Sequence, residues 1–142
     1  MATDINVTRQ TVLYAERDFT YDDFVSGEAK EMIYLQAGSK VLRGGVDITT
    51  AFNSGTSDTL TVGDTEGTTP DVDRYVASID GQAEAVTLFN GVTDGLINTS
   101  EAITMTNTQV VGSGEAATAG AGKLWIEYVV DNRVTELHAY RG

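Results

Sequence analysis

Three stretches of the sequence decide the fold: LQAGSKVLRGGVDITTAF (35–52), NSGTSDTLTVGD (53–64) and DVDRY (71–75). Within them apolar and polar side chains alternate, and groups of Gly, Ser, Asp and Thr separate one alternating run from the next. Val46 and Ile48 fall on one side of an extended chain and the residue between them on the other, because successive side chains of a β-strand point to opposite faces. The pattern predicts strands with one face toward a core and the other toward water or a partner.

Similar alternation continues along the rest of the chain, with turns at the spacing of a sandwich or barrel. The predicted strands are 11–16, 19–25, 30–35, 40–52, 58–63, 74–79, 101–111, 122–130 and 133–139. The sequence VVDNRV (129–134) predicts a tight hairpin between the last two. Residues 82–89 fit a short helix as well as a strand, and both alternatives stay open.

The length and composition predict one domain. A chain of 142 residues buries about 68–70% of the surface that its unfolded form exposes, so it needs no disulfide or metal to fold. The absence of cysteine excludes a disulfide scaffold and a thiol nucleophile. We therefore expect an all-β protein, a single antiparallel β-sandwich. Residues 1–17 are expected to form an N-terminal arm and first strand, and residues 18–142 the β-sandwich domain.

The charge of the chain restricts its partners. A formal net charge of −12 with only nine Lys and Arg argues against nucleic acid, whose binding relies on clustered cations. The acidity fits a partner with a basic patch, repulsion from DNA, or plain solubility. Residues 1–14 show no apolar segment behind a basic start, and no stretch approaches the ~20 apolar residues of a membrane span. We expect a soluble protein without a membrane partner or secretory signal.

The residues required for catalysis are scarce. His138 is the only histidine, so a Ser-His-Asp triad or a His-ligated metal would depend on that one residue. Paired carboxylates keep a hydrolase as a remote alternative; the pairs are Asp22 with Asp23, Asp71 with Asp73, and Asp58 with Asp64. The prediction is that the protein is not an enzyme and has no catalytic, cofactor-binding or metal-binding residues.

Two loops invite other interpretations. A group of five acidic residues could hold calcium, although the EF-hand loop pattern is absent. The five residues are Asp58, Asp64, Glu66, Asp71 and Asp73. A solvated acidic loop is the preferred interpretation. The glycine-rich segment GSGEAATAGAG (112–122) lacks the Gly-Lys pair of a phosphate-binding loop, and is interpreted as a mobile or partner-ordered surface loop.

Trp125 is the aromatic residue of greatest interest, because it falls on the outward side of its alternating strand. Tryptophan there could stack on a sugar ring or lie in a subunit interface. The interface is the preferred interpretation.

Four segments resemble a family of small structural proteins from tailed bacteriophages: DFTYDDFVSG (18–27), residues 35–64, DVDRYV (71–76) and TAGAGKLWIEYVVDNR (118–133). Members of that family are capsid decoration (cement) proteins or parts of head fibres and related appendages. The resemblance implies a β-sandwich, often jelly-roll-like, that assembles as an oligomer on the head. The matching residues resemble strand and turn determinants: Gly38, Thr50, Ala51, Phe52, Asn53, Asp58, Val62, Gly63, Asp64, Arg74, Tyr75, Gly122, Glu127 and Tyr128.

The resemblance implies a set of partners and a location. The partners are the major capsid protein and further copies of the chain, as a trimer or dimer, and the location is the capsid surface of a virion assembled in the host cytoplasm. The alternative is a head-fibre or tail appendage that binds a receptor or glycan. Three residues depart from the family pattern: Gln36, in place of a common proline, and the charged Lys40 and Arg43. The segment 1–9 fits an arm that lies on the capsid or pairs with a neighbour's edge strand.

Overall fold

The computed structural model describes residues 11–65, 71–90 and 101–130. In these ranges the chain forms eight strands and one short 3₁₀ turn, Tyr21–Asp23. The strands are β1 (Leu13–Thr20), β2 (Ala29–Leu35), β3 (Ser39–Thr50), β4 (Ser57–Asp64), β5 (Asp71–Asp80), β6 (Val86–Leu88), β7 (Glu101–Val110) and β8 (Ala121–Val130).

The strands form two four-stranded antiparallel sheets. Sheet A has the order β1-β8-β3-β6 and sheet B the order β2-β7-β4-β5. The first strand pairs with the last, the second with the seventh, the third with the sixth and the fourth with the fifth. This nested pairing is the jelly roll, an eight-stranded sandwich of two sheets. The predicted all-β, jelly-roll-like sandwich is confirmed.

The hydrophobic core lies between the sheets, on the inward side of each alternating strand. In β8, Leu124 and Ile126 are buried while Lys123 and Trp125 remain partly exposed. Burying an aliphatic side chain of this size contributes roughly 1.5–3 kcal/mol. A shift of one residue in register would send the buried set to solvent, so the core holds each strand in its register.

The N-terminal strands differ from the prediction. The predicted strands 11–16 and 19–25 are replaced by one strand, because β1 pairs with β8 without interruption along its length. The chain then leaves the sheet in the 3₁₀ turn, where the Thr20 N–H donates to Asp23 Oδ2 over 2.8 Å. The turn returns Phe24 to the core, edge-on to Phe19 at 5.7 Å between ring centroids. The predicted boundary between residues 17 and 18 lies within β1.

Residues 82–89, for which the sequence left a helix and a strand open, contain a strand in the structure. Only Val86–Leu88 pairs, with β3, after a turn in which the Gln82 N–H donates to Asp80 Oδ1 over 2.9 Å. The other predicted strands are confirmed, with ends that shift by one to three residues. The predicted strand 133–139, the hairpin at 129–134 and His138 lie outside the described residues.

Candidate interaction face

Sheet A exposes a surface with an aromatic centre and a charged border. Outward residues of β8 alternate with its core residues, and cross-strand partners on β1, β3 and β6 share their face. We call this surface the Trp125 face; it comprises Tyr14, Glu16, Asp18, Lys40, Arg43, Gly45, Asp47, Val86, Leu88, Lys123, Trp125 and Glu127. The predicted outward orientation of Trp125 is confirmed.

Trp125 lies over a glycine on the neighbouring strand. Gly45 is its register partner on β3, and a Cβ atom at Gly45 would come within 2.9 Å of the indole Nε1 and 3.1 Å of Cε2. A glycine inside a strand leaves a gap in the sheet surface and marks a site of close approach. The indole fills that gap, so Gly45 allows the tryptophan to lie against β3.

Tyr14 extends the aromatic centre onto the edge strand β1. Its ring stacks with Trp125, with centroids 6.2 Å apart and planes inclined by 16°, although 55% of Tyr14 remains exposed. The hydroxyl donates to Glu16 Oε2 over 2.9 Å. Partial burial, and then this hydrogen bond to a carboxylate, raise the pKa of Tyr14. The same hydrogen bond and Lys123 lower the pKa of Glu16.

The apolar surface continues onto the short edge strand β6. Val86 and Leu88 are the register partners of Asp47 and Gly45, and each is 61% exposed. The apolar part of the face thus crosses sheet A from β1 to β6. Neither side chain belongs to the core, so both are available for contact with a partner.

Ion pairs border the apolar centre. Arg43 and Glu127 form a bidentate pair, with Nε to Oε2 at 2.6 Å and Nη2 to Oε1 at 3.0 Å. Each partner stabilises the other's charged form, so the pKa of Glu127 is lowered and that of Arg43 raised. Lys123 Nζ lies 3.2 Å from Glu16 Oε1 and 3.9 Å from Asp18 Oδ1. The charge of Arg43, which the sequence places within a strand, therefore serves an ion pair of this border.

The carboxylate pairs proposed for catalysis or calcium have other roles. The buried Asp58 accepts three hydrogen bonds at Oδ2, from the Ser54 N–H (3.1 Å), the Ser54 hydroxyl (2.7 Å) and the Gln82 amide (3.1 Å). Asp64, at the opposite end of β4, pairs with Arg74. Six residues of strand separate the two aspartates by about 20 Å. They do not form an acid–base pair or a shared site.

The remaining acidic candidates lie at two places. Asp22 and Asp23 lie in the 3₁₀ turn, whereas Asp71 on β5 is the register partner of Asp64 and its carboxyl group is hydrogen-bonded to that of Asp73. Among the residues that the structure describes, no three His, Asp or Glu side chains group to hold a metal ion. Glu66 lies outside those residues.

The glycine-rich loop is held by its own chain. Asn53 Oδ1 accepts hydrogen bonds from the Thr118 and Ala119 N–H groups at 2.8 and 3.0 Å, and the Gly55 N–H donates to the Glu115 carbonyl at 3.0 Å. These bonds join the loop before β8 to the loop between β3 and β4. The neighbouring loop thus supplies hydrogen bonds to a segment that was predicted to be a mobile or partner-ordered surface loop.

Sequence reasoning found Trp125 but missed the residues beside it. Tyr14, Val86 and Leu88 lie far from Trp125 along the chain, and only the pairing of β1, β8, β3 and β6 brings them together. The available signal was the Gly44-Gly45 pair within an otherwise regular strand, since an interior glycine often marks close packing.

Comparisons with known proteins concern the fold. No protein-family model matches the chain, and no curated protein matches its sequence. In the described residues, no helix is long and apolar enough to cross a membrane.

Three capsid structures of bacteriophages contain chains of similar structure. A chain of the acidic stable capsid structure of Helicobacter pylori bacteriophage KHP30 matches with a TM-score of 0.62 and 14% identity, over 84% of this chain and 88% of that one. A chain of the cyanophage Pam1 capsid asymmetric unit matches with a TM-score of 0.61 and 11% identity, over 85% and 86%. A chain of the capsid of Ralstonia phage GP4 matches with a TM-score of 0.63 and 15% identity, over 84% of each. The protein thus shares its sandwich fold with chains found in phage capsids.

Proposed function

We propose that the protein is a non-enzymatic structural component of a bacteriophage virion, a capsid decoration protein that binds the outside of the head. The observation that carries the proposal is the jelly-roll sandwich, which matches chains of three phage capsid structures over at least 84% of their length. A fold by itself does not specify a function. The exposed aromatic surface and the acidic charge add independent support.

The physical properties of the chain suit the outer surface of a shell. Its net charge of −12 opposes binding to packaged DNA. A small rigid sandwich that contacts several neighbouring capsid subunits gains affinity through multivalency, so modest individual contacts add to a large stabilisation of the shell. Binding and bridging require surfaces rather than a reactive centre.

We propose that residues 1–9 form an arm that contacts the major capsid protein. The segment MATDINVTR is polar and contains β-branched residues, a composition suited to pairing with the edge strand of a neighbour. It precedes β1, an edge strand of sheet A.

A binding assay with capsids tests the proposal. The purified protein is mixed with heads that lack it, sedimented, and counted per head. Saturable binding at a copy number set by the capsid symmetry is the expected result, and deletion of residues 1–9 should abolish it while thermal unfolding of the sandwich is unchanged. Full occupancy by the deleted form would contradict the role of the arm. The absence of head binding by the intact chain would contradict decoration.

A receptor- or glycan-binding appendage is the second candidate, favoured by the exposed stack of Tyr14 on Trp125. Paired aromatic rings present the apolar faces on which sugar rings bind. The chain contains one tryptophan, so quenching of its fluorescence by added sugars tests this candidate directly. A few copies at one vertex of the head, together with sugar quenching, would favour the appendage over decoration.

A further inference from the structure

We propose that the Trp125 face is the interface through which two copies of this chain form a symmetric dimer. The inference deepens the proposed function by naming the oligomer's contact surface, and its test uses the isolated protein, so its failure is distinguishable from a failure to bind capsids.

The centre of the face has the composition of an interface core. Trp and Tyr are enriched among residues that dominate binding energy, and they lie near the middle of an interface with a border that excludes water. Trp125 and Tyr14 occupy that position here, and Val86 and Leu88 extend the apolar area to the edge of the sheet. The ion pairs of Arg43 and Lys123 lie at the border.

The distribution of charge favours a second copy as the occupant. The chain carries a net charge of −12, so two copies repel each other over most of their surfaces. The Trp125 face carries four acidic side chains and three basic ones, a net charge of −1 (3 − 4). Two copies would therefore meet there with little repulsion between net charges.

The arrangement of these charges is also self-complementary. Across sheet A, Lys123 lies between Asp18 and Asp47 as their register partner, and Arg43 lies beside Glu127. In a two-fold interface the same patch meets itself, so each sign must find the opposite sign on an identical surface. Alternating signs on one face satisfy that condition, whereas a basic partner surface would find three of the four acidic groups already paired with Arg43 or Lys123.

The size of the face is close to that of a stable interface. Ten residues of β8 span about 34 Å, and four adjacent strands span roughly 15–19 Å. The projected area is at most about 500–650 Å², because β6 has only three residues, and side chains standing on the sheet give a larger accessible area. Stable interfaces bury about 800 Å² of accessible surface per partner, which a face of this extent approaches.

The experiment measures self-association by sedimentation velocity together with the emission of the single tryptophan. Over increasing concentrations of the full chain, we expect conversion from monomer to dimer. Over the same range the Trp125 fluorescence emission should shift to shorter wavelength, and acrylamide should quench it less. Leu88→Glu, which places a carboxylate at the edge of the apolar surface on both copies, should weaken association about 100-fold.

Two further variants complete the test. Tyr34→Ser removes a tyrosine that is 72% exposed on β2 of the other sheet, and it should leave association unchanged. Val86→Lys should repeat the effect of Leu88→Glu, and circular dichroism verifies that all variants fold. A monomer with constant emission at every concentration would overturn the proposal. An oligomer whose association is unchanged by both Leu88→Glu and Val86→Lys would do the same. A protein that stays monomeric and whose Trp125 fluorescence changes only when sugars are added would also overturn it.

Discussion

Asn107 lies on β7 with its side chain directed at the core, opposite its register partner Leu60. It is completely buried, and neither amide atom has a hydrogen-bond partner among the described residues. A buried polar group without partners loses its hydration without compensation, at a cost of about 1–3 kcal/mol. The polar side chain of Asn107 therefore lowers the stability of the folded state.

Asn107→Val should therefore raise the free energy of unfolding by about 1 kcal/mol, because the substitution removes the unpaired amide and adds a β-branched side chain suited to a strand. Urea denaturation measures the change. A decrease in stability would show that the amide binds a buried water molecule, and the prediction would then be wrong.

Asp73 on β5 gives a prediction for pH. A hydrogen bond between its carboxyl group and that of Asp71, followed by desolvation and the Asp71 charge, raises the pKa of Asp73 above its ordinary value of 3.8. A raised pKa in the folded state means that stability is fully present below the unfolded pKa and is lost as pH rises through the folded pKa.

Asp73→Asn removes that titration. We expect the variant to have a higher melting temperature than the wild type at pH 7 and an equal one near pH 3. Scanning calorimetry across this range measures the difference. A constant difference at all pH values would show that the carboxyl interaction is not its cause.

At the scale of elements, loops join the strands by side-chain hydrogen bonds that alternation does not encode. Asn53 holds the loop before β8 through three bonds, two accepted by Oδ1 from the Thr118 and Ala119 N–H groups and one donated by Nδ2 to Thr118 Oγ1 over 3.0 Å. The resemblance marked Asn53 as a turn determinant, but its partners lie 65 and 66 positions away.

Asn53→Ala should lower the free energy of unfolding by about 1–3 kcal/mol and increase hydrogen exchange at Thr118 and Ala119, because their amides lose their acceptor. Thr118→Val is the matched control, since it removes only the bond between side chains and should cost less. Unchanged exchange in Asn53→Ala would mean that other contacts hold the loop.

At the scale of the whole molecule, the excess of negative charge should make stability depend on salt. A chain with a net charge of −12 repels itself in the compact state, and the Debye length falls to about 8 Å at physiological ionic strength. We expect the melting temperature to rise when sodium chloride increases from about 10 mM to about 150 mM. A fall would show that the surface ion pairs, such as that of Arg43 with Glu127, outweigh the repulsion.

Most strands of the sandwich could be predicted from the sequence, because alternation of period two is a local property and each strand carries its own pattern. β8 shows this best, since Trp125 was expected on the outward side of its strand, and the structure places it there with Leu124 and Ile126 buried on the opposite side. The errors occurred where a local pattern has two solutions. The aromatic residues of 19–25 enter the core from a strand and a turn, and residues 82–89 fitted a helix equally well.

The order of the strands was decided by the tertiary structure, because many arrangements of the same alternating strands bury the same apolar faces. That order places Tyr14, Leu88 and Trp125 on one surface, and it separates Asp58 from Asp64 at opposite ends of β4. The sequence by itself determined that the chain is an all-β protein with an inward and an outward side to its strands. Which outward residues meet, and so which surface can bind a partner, depends on pairing between distant strands, and only the complete fold specifies it.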